Sequence, residues 1–188
     1  HPLLNKEMDT EFLSNTTAPR TILPMVLPIV KPKSVADWGC NRGFWLEECK
    51  NLGVEEIHGF DMVNYDQNFR ISKEDFTQAN FEEHIPTREV DLGICLENIE
   101  HVSSLRADIL HQKICESCDV VLFSGATIGQ GGNHHVNERN HSYWHSKFAR
   151  AGFLLLDVVR WGVIDDPSIY SWYKDNTFLY TKVPLPRQ

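Results

Sequence analysis

Between Ser34 and Asp61 the chain reads as strand, glycine turn, helix, strand and acid, an order that few folds accommodate. The short β run Ser34-Val-Ala-Asp-Trp38 carries Asp37-x-Gly39-x-x-x-Gly43 across its end. Phe44 to Leu52 has helical spacing, and a second apolar run ends in His58-Gly-Phe-Asp61. Glycines at such a turn allow tight backbone geometry and close approach of a ligand. An acid at the tip of the second strand can accept hydrogen bonds from both hydroxyls of a ribose. The unit suits an adenosine-containing ligand.

The turn itself discriminates among such ligands. A dinucleotide site wants G-x-G-x-x-G, with amides aimed at a pyrophosphate. Aligned on Gly39, this chain has Asn41 and Phe44 where the second and third glycines belong. Asp37 would repel phosphate and suits an ammonium group instead. S-adenosylmethionine offers an α-amino group, a sulfonium and an adenosine. The pattern resembles motif I of the class I S-adenosylmethionine-dependent methyltransferases, D/E-x-G-x-G-x-G. Asn41 replaces the middle glycine, and asparagine tolerates left-handed backbone better than most residues.

The rest of the chain is consistent with that resemblance. At 188 residues, 41% hydrophobic and 23% charged, it has the size and composition of one globular domain. Residues 1–30 read as an N-terminal helical cap segment, and 31–188 as a single catalytic domain. Val90–Leu96 and Asp119–Ser124 are buried-strand runs, Ser104–Glu116 and His141–Ala151 have helical spacing, and 129–138 is a polar loop. Gly152–Val159 and Thr177–Thr181 read as the last strands. No helix of crossover length is expected between them, so they should pair antiparallel. Strands alternating with helices imply an α/β fold. The family resemblance, from about Thr17 onward, implies a Rossmann-like, seven-stranded, mostly parallel sheet with an antiparallel last strand and helices on both faces.

Composition excludes several classes. A net charge of −8 argues against a broad nucleic-acid surface. No apolar stretch reaches membrane-spanning length, and Thr21–Val30 carries Pro24 and Pro28. Cys115 and Cys118 form a single C-x-x-C without the second pair that a zinc site needs. With Cys40, Cys49 and Cys95 they read as reduced thiols of a cytoplasmic protein.

Similarity to the family assigns the cofactor residues. The turn Asp37, Gly39, Cys40, Asn41 and Gly43 would carry the methionine part, Asp61 the ribose and Met62 the adenine face. Asn80 would meet the adenine amine with Phe81 beside it, and Glu97 stands at the tip of the fourth strand. Met62 and Phe81 read equally well as core. Trp38 and Trp45 read as packing, although an aromatic face there would also attract a sulfonium.

Glu97-Asn-Ile-Glu100-His101 follows that strand. If helical geometry begins at Glu97, residues i, i+3 and i+4 share a face. Two carboxylates and an imidazole suit Mg²⁺, Mn²⁺ or Fe²⁺. E-x-x-E-H resembles the metal-binding segment of the ubiquinone-pathway O-methyltransferases and of the small-RNA 3′-terminal 2′-O-methyltransferases. In the RNA enzymes a further histidine completes the site, and His135 in Gly131-Gly-Asn-His-His-Val-Asn-Glu138 is the candidate here. The metal set is then Glu97, Glu100, His101 and His135. In methyltransferases without a metal, the same pattern caps and orients its loop. His135, Glu138 and His101 are the candidates for substrate contact or proton removal. His141 and His145 fit a solvated helix face. Ile169–Thr177 resembles a W-Y-x-x-N-x element of some bacterial and phage methyltransferases.

The resemblances imply an S-adenosylmethionine-dependent O-methyltransferase. Its acceptor would be a hydroxyl on a sugar, glycan or small polar metabolite, with assistance from a divalent metal. E-x-x-E-H keeps open an RNA or nucleotide ribose methyltransferase. Asn41 and Asn80 keep open a cofactor-binding, non-catalytic subunit.

Overall fold

A computed structural model of the chain describes residues 16–182. Seven strands form one sheet: β1 (Ser34–Trp38), β2 (Glu56–Asp61), β3 (Phe76–Gln78), β4 (Leu92–Cys95), β5 (Val120–Phe123), β6 (Leu154–Leu156) and β7 (Phe178–Thr181). Their order is β3-β2-β1-β4-β5-β7-β6. The pairs β1·β2, β1·β4, β2·β3 and β4·β5 are parallel, whereas β7 runs antiparallel to both β5 and β6. β4 and β5 are buried at every position. That is why they read as continuous apolar runs rather than alternating ones.

Two hydrophobic layers cover the sheet. Helices α1 (Thr17–Val30) and α2 (Phe44–Asn51) cover one face, with Ile22, Leu23, Val26 and Leu46 packed on Val35, Ile94 and Leu122. Helices α3 (Ser104–Ser117) and α4 (His141–Arg150) cover the other, with Leu110, Ile114, Trp144 and Phe148 on Ala36, Val121, Phe123 and Tyr180. Val35 and Ala36 point to opposite layers, as do Val121 and Leu122, which is the two-residue period of a strand. Phe148 stacks on Tyr180 at 3.9 Å between centroids. Burying an aromatic of this kind stabilises the fold by about 1.5–3 kcal/mol.

α1 runs through Pro24 and Pro28. Its buried face, with Ile22, Leu23 and Val26 fully enclosed, outweighs the hydrogen bonds that proline removes. Of the cap segment expected over 1–30, residues 1–15 lie outside the described residues. Among the described residues no helix is long and apolar enough to cross a membrane.

The expected antiparallel pairing of the last two strands is present, but the segment between them differs from expectation. Only Leu154–Leu156 of the expected 152–159 strand pairs, and two short helices follow, α5 (Arg160–Val163) and α6 (Ser171–Asn176). β6 is an edge strand with Leu154 and Leu155 exposed and only Leu156 packed on the core, so most of its hydrophobicity reflects no burial. α5 instead buries Val163 and sets Gly162 against the Met25 sulfur of α1. β3 is three residues long and largely exposed.

Candidate active site

The carboxyl ends of β1, β2 and β4 open into one cleft of about 510 Å³. In open α/β sheets this is where ligands bind. Asp37, Gly39, Cys40, Asn41, Asp61, Met62 and Glu97 all line it, together with Trp45, Asn98, His101, His134 and Tyr173.

The turn after β1 is fixed by its backbone. Gly39 has φ +95°, and a Cβ there would run into the Asn98 side chain, 2.6 Å from Asn98 Cβ. Its N–H donates to the Phe60 carbonyl at 2.8 Å, tying the turn to β2. Asn41 adopts φ +48°, the left-handed conformation that asparagine tolerates at the middle-glycine position. Its N–H donates to Asp61 Oδ2 at 2.7 Å, and the Val63 N–H donates to Oδ1 at 3.1 Å. A carboxylate offers about four acceptor sites. Asp61 is therefore held by two amides and keeps capacity for a ligand diol. Gly43, at φ +84°, starts α2 and packs on Ile71 rather than lining the cleft.

Asp37 is 2% exposed, and burial, reinforced by the neighbouring Asp61 charge, pushes its carboxyl well above the usual range. A cation in the cleft would favour its ionised form. Met62 is exposed at the rim. Asn80 and Phe81 do not line the cleft. The Asn80 side chain accepts from the Glu82 N–H and donates to Glu83, holding a turn, while Phe81 belongs to the core beneath α3. Trp38 is also core, with its indole N–H on the Pro86 carbonyl. Trp45 meets Tyr173 edge to face at 5.6 Å on the cleft wall.

Beside the cleft, the ligand atoms of Glu100, His101 and His135 lie within 4.8 Å of one another. Glu100 is 1% exposed, and its carboxylate meets no side-chain donor, with only the backbone N–H groups of Glu100 and Ala126 near it. Burial and the nearby Glu97 push it up to about 8. A buried carboxylate without a side-chain partner, next to two imidazoles, could hold a divalent cation. His101 and His135 meet edge on at 4.9 Å. Burial, then His135, lowers the His101 pKa, favouring the neutral imidazole that a metal requires.

His135 Nδ1 bonds Glu138 Oε1 at 2.9 Å, which leaves Nε2 as its available nitrogen. Glu138 also accepts the N–H groups of Gly129 and Gly131, both at 2.8 Å. Its carboxylate thus organises the loop and orients His135 rather than facing a substrate. The loop docks on the Glu100 carbonyl through the N–H groups of Val136 and Asn137, at 2.9 and 3.0 Å.

The helical face expected to join Glu97 to Glu100 and His101 does not form. Only Ile99–His101 turns, as a single 3₁₀ turn, and Glu97 precedes it at φ +46°. Glu97 stands outside the Glu100–His101–His135 group. Its Oε2 accepts from Gln130 Nε2 at 3.0 Å and its Oε1 from Asn176 Nδ2 at 3.3 Å. Gln130, Asn98, Tyr173 and Asn176 were not among the expected site residues. The only sequence signal for the last two was the W-Y-x-x-N run.

No family model matches the sequence, and no curated protein matches it. Solved structures do match. A SAM-dependent methyltransferase from Archaeoglobus fulgidus superposes with a TM-score of 0.65 at 15% identity, over 95% of this chain and 99% of that one. The fold is that of the class I methyltransferases. The methyltransferase domain of bacterial CtHen1-C gives 0.60 at 19% identity, over 89% of this chain and 98% of that one. Human N-acetylserotonin methyltransferase, solved in complex with SAM, gives 0.56 at 18% identity over 89% of this chain. The chain spans about half (52%) of that protein's length. In this fold the cleft at Asp37, Asn41 and Asp61 lies at the carboxyl ends of β1 and β2.

Proposed function

We propose that the chain is an S-adenosylmethionine-dependent O-methyltransferase whose acceptor is a hydroxyl of a sugar, glycan or small polar metabolite. Residues 31–188 would form its catalytic domain. The observation that carries this reading is the acidic cleft at the strand ends, where Asp61 is held by the Asn41 and Val63 amides beside the buried Asp37. Asp61 keeps acceptor sites for a ribose diol, and Asp37 favours a cationic ligand over a phosphorylated one.

Glu100, His101 and His135 would hold Mg²⁺, Mn²⁺ or Fe²⁺, which when bound lowers the pKa of a coordinated hydroxyl. Glu138 keeps the His135 Nδ1 proton in place, so that Nε2 is presented as a ligand. His101, held neutral by burial, presents a lone pair rather than a proton. Positioning of acceptor and methyl donor supplies much of the acceleration in such a transfer.

The test is incubation with methyl-labelled S-adenosylmethionine and a panel of neutral polyols, with Mn²⁺ or with EDTA. Label should reach an acceptor hydroxyl with Mn²⁺ and not with EDTA. Transfer indifferent to EDTA would remove the metal, and no transfer to any acceptor would leave a cofactor-binding, non-catalytic subunit. A second reading, methylation of an RNA ribose, is favoured by E-x-x-E-H and by the likeness to the CtHen1-C domain. The net charge of −8 weighs against it. It requires RNA binding that weakens steeply with salt.

A further inference from the structure

Glu97 and Asn176 lie 79 residues apart in sequence and meet at the cleft wall. Asn176 is 2% exposed, yet every polar atom of its side chain is used. Nδ2 donates to Glu97 Oε1 at 3.3 Å and to Gln130 Oε1 at 2.8 Å, and Oδ1 faces His141 Nε2 at 2.9 Å. Burial raises the Glu97 pKa, and the hydrogen bonds that its carboxylate accepts from Gln130 and Asn176 oppose that rise and set the orientation of both amides. Gln130 must present Nε2 to Glu97, so its Oε1 turns to Asn176. Asn176 must then present Nδ2 to both, so Oδ1 turns to His141, whose Nε2 carries the proton. The Glu97 carboxylate thereby fixes three side chains, drawn from the loop after β5, the start of α4 and the end of α6.

The product of this network is the placement of Glu97. Its left-handed backbone is anchored where its N–H donates to Ser124 Oγ at 2.9 Å. The amides hold its two oxygens, it is not one of the three residues whose metal-binding atoms lie within 4.8 Å of one another, and its side chain lines the cleft. Two amide donors do not exhaust a carboxylate's acceptor sites. The remaining capacity calls for a donor on the ligand. The cleft is lined by Asp37, Asp61 and Glu97, and its described lining contains no lysine or arginine. A phosphorylated acceptor would find no cation there, whereas a neutral hydroxyl can donate to Glu97.

We infer that Glu97 is not a metal ligand but the hydroxyl-reading contact for a neutral polyol acceptor, and that Asn176, with Gln130, is the positioning residue that holds it there. The inference rests on the methyltransferase reading above and narrows its acceptor class.

The experiment uses Mn²⁺ alone, methyl glycosides and inositols as neutral polyols, and a short RNA with a free 3′ end. Wild type is compared with Glu97→Gln, Asn176→Asp, Gln130→Ala and Glu100→Gln. Asn176→Asp sets a like charge against Glu97, while Gln130→Ala alters an exposed side chain and carries little folding risk. Glu100→Gln should weaken Mn²⁺ binding at least ~10-fold. Glu97→Gln, Asn176→Asp and Gln130→Ala should bind Mn²⁺ as wild type does, yet raise the polyol KM at least several-fold. The Asn176 and Gln130 effects should vanish in the Glu97→Gln background, since residues acting through one contact are not additive. Loss of Mn²⁺ in Glu97→Gln equal to that in Glu100→Gln would make Glu97 a ligand and overturn the assignment. Turnover of the RNA in preference to every polyol, or turnover of no polyol, would overturn the acceptor class. Failure of wild type to bind Mn²⁺ would reject the metal reading alone, with the Glu97 assignment still decided by the KM comparison.

Discussion

Gly39→Ala is the sharpest test of the turn on which the cofactor reading stands. At φ +95° any Cβ is strained, which costs about 1–2 kcal/mol. The added methyl would also overlap the Asn98 side chain, with Oδ1 at 2.5 Å and Cβ at 2.6 Å. The turn cannot back away, because the N–H groups of Gly39 and Cys40 both bond the Phe60 carbonyl, at 2.8 and 3.2 Å. Overpacking of this kind costs about 1–3 kcal/mol. The sum is about 2–5 kcal/mol, a large share of the 5–15 kcal/mol of a typical domain. With a urea m-value of about 2 kcal/mol/M, the unfolding midpoint should fall by roughly 1–2.5 M. The readout is tryptophan fluorescence, since Trp38 and Trp144 are buried. Asn98→Ala in the same chain should restore the overpacking part and leave only the backbone strain. A midpoint unchanged by Gly39→Ala, or a double variant no better than the single one, would refute the reasoning.

Three further outcomes are expected. Asp61→Asn keeps one acceptor where two amides need one each, so affinity for S-adenosylhomocysteine, measured by calorimetry, should drop at least ~10-fold. Glu138→Gln should weaken Mn²⁺ binding by roughly 10–100-fold through His135, measured by metal titration. In EDTA, the melting temperature should fall as pH rises from the ordinary carboxylate range toward about 8. Folded Glu100 keeps a proton that the unfolded chain has already released, so stability drops across that window. Glu100→Gln should flatten the slope, and Mn²⁺ at pH 8 should raise the melting point.

What was legible in the sequence was local. That Asp37, Gly39, Asn41 and Asp61 gather at one cleft was legible because a turn and its following strand impose residue types within a short span. The buried strands β4 and β5 were legible as unbroken apolar runs. The Glu100, His101 and His135 group was half legible. The spacing brought Glu100 and His101 together, but Glu97 was assigned to a helical face that its left-handed backbone does not make. Asn80 and Phe81 sit near the expected strand end, yet a turn and the core claim their side chains. Asn176 was illegible as a site residue. Its partners lie 35, 46 and 79 positions away, and the W-Y-x-x-N run that contains it points to none of them. The short helices α5 and α6 escaped because they are held by packing on α1 and by the cleft wall rather than by any long periodic pattern.

The most direct measurement is calorimetric titration of the metal-stripped protein with S-adenosylhomocysteine, repeated after addition of Mn²⁺. Saturable binding at micromolar or tighter affinity, lost in Asp61→Asn, is the expected result. No binding in either condition would contradict the central claim that the Asp37–Asn41–Asp61 cleft holds a methyl donor.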